Sequence, residues 1–181
     1  MKSSKLRDIT AVFAKIMEVI SYIGIVLGVI GIGILLFFSK EVAANYDESI
    51  KPNLTASSGD FNLANLTADN FVSVFVALGI FFLIVIALTA VMFRDVNKIF
   101  KTTNTESPFA PVNVGRIKRI GYIAISFPIL KVVFNIVAGL FLKNVTIGVE
   151  LSEVLFGLII LCLSQYFAYG ASLEKDVNGL L

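Results

Sequence analysis

The sequence predicts an all-α integral membrane protein: a bundle of four transmembrane helices made of two helical hairpins, with a small outer loop region. Three observations carry that expectation. First, 57% of the 181 residues are hydrophobic and 15% are charged, with a mean hydropathy of +0.89. A soluble domain lies nearer about 45–50% apolar and about 25% charged. Second, the apolar residues gather into four blocks, at about 20–38, 71–92, 120–142 and 154–169. Each approaches the roughly 20 residues with which a helix crosses a hydrocarbon core of about 30 Å. Third, the basic residues alternate from segment to segment. Residues 1–19, 93–119 and 170–181 hold four, six and one Lys or Arg, while 39–70 and 143–153 hold two and one.

By the positive-inside rule this pattern places both termini and an inner loop, 93–119, in the cytoplasm, with outer loops 39–70 and 143–153. Net charge follows the same division: the inner segments carry +2, +4 and −1, the outer ones −3 and −1. The expected arrangement is a single membrane domain, 1–181, multi-pass in the inner (plasma) membrane.

The elements follow in chain order. Ser3 or Ser4 is placed to cap a first helix that begins before the bilayer, since Leu6, Ile9, Phe13, Ile16 and Met17 recur at near-helical spacing. Lys2, Lys5 and Arg7 resemble the basic start of a signal peptide. The apolar block behind them, however, is too long and starts too late for one, and no small-residue cleavage site follows Phe38. Within this block Gly24 and Gly28 have the small-xxx-small spacing that lets a second helix approach closely. Packing within the bundle is favoured over a homo-oligomer.

The segment Ser39 to Asn70 is acidic and rich in Asn, Thr and Ser. Asn53, Asn65 and Asn144 stand in Asn-x-Thr sequences, all on the outer side. In a bacterial protein these are ordinary polar loop composition. Loose alternation around Val145 to Leu151 admits a short strand. On the inner side, Arg94 to Lys101 continues the second helix, Thr102 to Glu106 breaks it, and Ser107-Pro108-Phe109-Ala110-Pro111 prepares the next start. Ser107 is expected to supply the capping hydroxyl and Phe109 to tuck into the bundle or the interface.

Two matches suggest duplication of a hairpin. Tyr22-Ile23-Gly24-Ile25 opens the first span and Tyr122-Ile123-Ala124-Ile125 the third; Arg94-Asp95-Val96-Asn97 leaves the second and Lys175-Asp176-Val177-Asn178 the fourth. Parallel repeats of this kind serve transporters and plain scaffolds alike.

Function is constrained mainly by exclusion. There are no histidines and one cysteine, Cys162, which removes the commonest general base, any intrachain disulfide and a thiolate metal cage. No nucleophile and base stand at a convincing spacing, so neither an enzyme nor a cofactor or metal site is expected. Arg116, Lys118 and Arg119 read as a lipid-facing basic cluster, and direct nucleic-acid binding is not expected.

The informative polar position is Lys131, near mid-span, where an uncompensated lysine costs about 2.5–3.5 kcal/mol. The fourth span, running the opposite way, places Ser164 and Gln165 at a comparable depth, Asn135 lies one turn beyond Lys131, and the four form an intramembrane polar cluster near which Pro128 frees carbonyls. That cluster either satisfies the lysine structurally or forms an ion or substrate site. Glu150 and Glu153 fall at the outer mouth, leaving no carboxylate within the membrane.

The Ser107-Pro108-Phe109 turn, Asn113, Arg116-Ile117-Lys118-Arg119-Ile120-Gly121 and Tyr169-Gly170-Ala171-Ser172-Leu173-Glu174-Lys175-Asp176 together resemble a family of four-span bacterial membrane proteins classed as a domain of unknown function. Its members are often encoded beside a small helix-turn-helix repressor. The resemblance therefore implies a membrane regulator or interaction partner of a cytoplasmic transcription regulator, with Arg94, Asp95, Arg116, Lys118, Arg119, Glu174 and Asp176 as the partner surface. Two alternatives remain: a small transporter or channel subunit with its site around Lys131, and protection against a membrane-active peptide through the outer loop.

Overall fold

A computed structural model describes residues 2–46, 66–102, 107–142 and 151–178. They form five helices: α1 (Lys2–Phe37), α2 (Ser39–Ala44), α3 (Ala68–Thr102), α4 (Pro111–Leu142) and α5 (Leu151–Asn178). No strand occurs among the described residues. The four long helices are each apolar enough to cross a membrane, and the fold is an all-α four-helix bundle. At 1.5 Å per residue they run about 42–54 Å, so each exceeds a bilayer core of about 30 Å.

Burial is distributed as lipid contact requires. Only 6% of the most apolar window is buried in α1 and in α3, rising to 33% in α4. Large side chains such as Leu27, Phe37 and Leu140 point outward. Small residues supply much of the interior, including Ala11, Ala14, Ala90, Ala124 and Ala138. This follows from the absence of a hydrophobic drive between helices in lipid, where association depends on close packing.

The chain divides into two compact units. One comprises Met1–Ile23, Ala87–Phe127 and Glu150–Leu181; the other comprises Gly24–Ile86 and Pro128–Val149. In the first, α4 and α5 run antiparallel at very close range. A Cβ on Gly121 would meet the Leu161 side chain at 2.7 Å, and one on Gly157 would run into Ile125 Cγ1 and meet the Gly121 carbonyl at 3.3 Å. In the second unit, Gly24 faces Ile86, Gly28 faces Leu83 and Gly79 faces Ile32, so α1 and α3 are antiparallel neighbours. Gly24 and Gly28 thus pack within the chain. The Phe81 and Phe134 rings stack at 4.5 Å and join α3 to α4.

One end of this second unit is closed by Leu66, Val74 and Leu142, with Tyr46, Phe71 and Phe75 against them. There Asn70 Oδ1 accepts the Thr67 N–H at 2.7 Å, the reciprocal half of a helix-start capping box. The Asn70 amide also donates to the Phe141 carbonyl at 3.3 Å.

Several local expectations change. Helix α1 already includes Ser3 and Ser4, which therefore lie inside its first turn and do not precede it. Helix α4 starts at Pro111, and Ser107 caps the turn before it by accepting the Phe109 N–H at 3.2 Å. Helix α4 continues through Pro128, because the helical bonds on either side survive the loss of one donor. The Asn-x-Thr sequences at Asn53, Asn65 and Asn144 lie outside the described residues, as do most of the strand expected around Val145 to Leu151 and most of the outer loop.

Gly157→Val, which forces a branched side chain into Ile125 and the α4 backbone, is expected to destabilise the protein by about 1–3 kcal/mol. Gly31→Ala, where an added Cβ meets nothing within 4 Å, should not lower the melting temperature in detergent. Thermal unfolding of the two variants beside the parent checks the pair.

Candidate functional site

The polar residues of the first unit converge on the connector between α3 and α4. Asp95, on α3, is completely buried. An isolated carboxylate there would be very costly, so it requires a partner of opposite charge with matching geometry. Arg119, on α4, supplies a two-pronged guanidinium: Nε donates to Oδ2 at 2.6 Å and an Nη2 hydrogen bond reaches Oδ1. The planar fork fits a carboxylate as no lysine can. About half of the Arg119 side chain remains exposed.

Two residues along α3, buried Asn97 donates to the Ala11 carbonyl at 2.6 Å and ties in α1. The connector is fastened in turn. The Ser107 hydroxyl donates to Glu174 Oε2 at 2.5 Å, joining it to α5. Asn113, fully buried, donates to the Ser107 carbonyl at 3.5 Å and accepts from Arg116 Nη1 at 3.0 Å. Phe109 packs on Phe167, ring centroids 5.4 Å apart, and fills the space a Cβ on Gly170 would need. On α1, buried Glu18 accepts from Lys15 at 3.0 Å.

This geometry separates the sequence-predicted partner surface into two kinds of residue. Asp95 is removed from it, being buried, and Arg116 and Glu174 are engaged in holding the connector. Arg94, Lys118 and Asp176 are exposed, with the Lys118 ammonium 5.9 Å from the centre of the Tyr122 ring. The two matching exits are therefore unlike: Asp95 is an internal ion-pair partner, whereas Asp176 faces outward. Asn97, which joins α3 to α1, and Asn113, which holds the connector to the start of α4, carry no charge to betray these bonds in the sequence.

The four residues of the expected intramembrane cluster divide between the two units, Ser164 and Gln165 in the first and Lys131 and Asn135 in the second. Gln165 is exposed, and buried Ser164 donates to the Leu161 carbonyl of its own helix at 2.6 Å. The Gly121–Leu161 and Gly157–Ile125 contacts fix the register of α5 on α4. Continued one turn, that register sets Ser164 beside the turn of α4 that holds Lys118. Lys131 is partly buried, and Asn135, one turn further, is buried with no hydrogen bond to its Oδ1. Within the first unit the glycine contacts thus offset α5 along α4.

The same offset moves Glu153. It lines a cavity with Met92, Ala124 and Phe127, residues of the apolar runs of α3 and α4, and so lies within the apolar belt and not at an outer mouth. The expectation of no carboxylate inside the apolar spans is corrected accordingly. Glu150 lies outside the described residues. No group of three or more potential metal-ligating side chains occurs among the described residues.

Comparison of the chain with protein families, curated proteins and solved structures finds no match.

Arg119→Leu leaves the buried Asp95 carboxylate unpaired and should cost about 3–5 kcal/mol. Adding Asp95→Leu to it should recover a large part of that loss, since no buried charge then remains. A double-mutant cycle by thermal or denaturant unfolding measures the coupling.

Proposed function

We propose that this chain is a non-enzymatic membrane protein that acts as a regulator or interaction partner, offering its basic inner end to a cytoplasmic protein. In this reading it sits in a bacterial inner membrane with both termini and the α3–α4 connector in the cytoplasm, as the distribution of Lys and Arg favours. The observation that carries the proposal is the fastening of the connector. Asp95, Asn97, Ser107, Asn113 and Glu174 are spent on internal bonds, and Arg94, Lys118 and the outer part of Arg119 are left exposed. A held surface loses little conformational entropy on binding, which favours recognition of a partner over simple lipid attraction. An acidic protein surface is its natural complement. The resemblance to the domain-of-unknown-function family proposes a helix-turn-helix regulator as that partner.

A photo-crosslinker placed at Val112, which is exposed near this surface, should capture a cytoplasmic protein in native membranes. Arg94→Glu with Lys118→Glu should reduce the yield at least about fivefold, because each reversed charge turns attraction into repulsion. Capture unchanged by the reversal, or no cytoplasmic protein captured, overturns the reading. Reporter fusions after Thr55 and Thr105 check its orientation, the first giving an external signal and the second a cytoplasmic one.

The transporter alternative draws on the unpaired amide oxygen of Asn135 one turn from Lys131. It requires a flux in liposomes that Lys131→Leu alters.

A further inference from the structure

Where α3, α4 and α5 meet, Met92, Ala124, Phe127, Ser152, Glu153 and Phe156 line an open cavity of about 450 Å³. That is within the roughly 300–1,000 Å³ of small-molecule sites. Its depth follows from α4: Phe127 is about 12 Å along the helix from Arg119 and about 22 Å from Leu142. The cavity thus opens on the apolar part of the bundle. Its walls are apolar and aromatic, and its polar end consists of one hydroxyl and one carboxylate.

Glu153 lies in the first turn of α5, is partly exposed, and makes no hydrogen bond or ion pair among the described residues. A carboxylate in an apolar setting is expensive to maintain and ordinarily marks a site that receives opposite charge. The receiving charge is not a metal ion, since one carboxylate and one hydroxyl fall far short of the oxygen ligands that Ca²⁺ or Mg²⁺ requires. Aromatic faces and a single negative charge within an apolar wall suit a large, weakly hydrated cation. Two further hollows of about 460 Å³, one between α3 and α4 lined by residues such as Val76, Ile80 and Leu130 and one between α1 and α3 lined by residues such as Gly28, Ile32 and Gly79, have no charged side chain in their lining and lack this preference.

We propose that the cavity binds a hydrophobic monovalent organic cation, of quaternary ammonium or phosphonium type, with Glu153 as its counter-charge and Phe127 and Phe156 as its walls. This site is separate from the basic surface and stands or falls independently of the partner reading.

The test uses the full chain in lipid nanodiscs with tetraphenylphosphonium as probe and triphenylphosphine oxide as the neutral comparison. Saturable binding of the cation is expected, at least about tenfold tighter than that of the neutral compound. Glu153→Gln should abolish this preference, Glu153→Asp should restore part of it, and Glu41→Gln, an exposed carboxylate on α2, should change nothing. Phe156→Ala, at a position that is largely exposed, should weaken the cation severalfold at an unchanged melting temperature. No saturable binding, equal affinity for the two probes, or undiminished preference in Glu153→Gln overturns the proposal.

Discussion

The close contact of α4 with α5 at Gly121 and Gly157 is the constraint on which the first unit depends. With no side chain at either position, Leu161 and Ile125 reach the opposing helix backbone, and two ridges of apolar residues interlock at one register. Dispersion between closely packed atoms is the main attraction available to helices surrounded by lipid, so this register is worth more than any looser one. It brings Gly170 under Phe109, aligns Glu174 with Ser107, and lays the first turn of α5 against Ala124 and Phe127. The fastened connector and the Glu153 cavity are therefore consequences of a single contact.

The Asp95–Arg119 pair plays the corresponding part between α3 and α4. Its contribution is specificity more than net stability, because desolvating a carboxylate offsets much of the attraction gained. A fully buried anion admits only arrangements that bring a cation to it, and it excludes sliding or rotation of either helix. Since the guanidinium is half exposed, the pair also sets a positive charge at a defined place on the surface. Packing and presentation of charge are thus coupled through one side chain.

Much of the architecture was legible in the sequence. Four apolar blocks of spanning length became four long helices, and Pro111 began α4 as its ring geometry favours. Gly24 and Gly28 marked a close approach, and Phe109 was placed against the bundle. The polar sites were less legible. Hydropathy groups Lys131, Ser164 and Gln165 by depth alone, whereas the register of α5 on α4 in the first unit is set by glycine contacts that hydropathy does not show. The Arg-Asp-Val-Asn and Lys-Asp-Val-Asn exits read alike, yet only Asp95 found an arginine one helix away.

By itself the sequence determined the class of solvent this protein needs and the number and approximate limits of its long helices. Those properties depend on composition and on periodicity within one segment, where the hydrophobic effect acts residue by residue. Tertiary structure alone decided which ionisable groups are buried, which are paired and which remain exposed. Asp95 and Asp176, or Glu153 and Glu174, differ in nothing but what the neighbouring helix places opposite them. The cost of a charge is set by that surrounding and not by the residue.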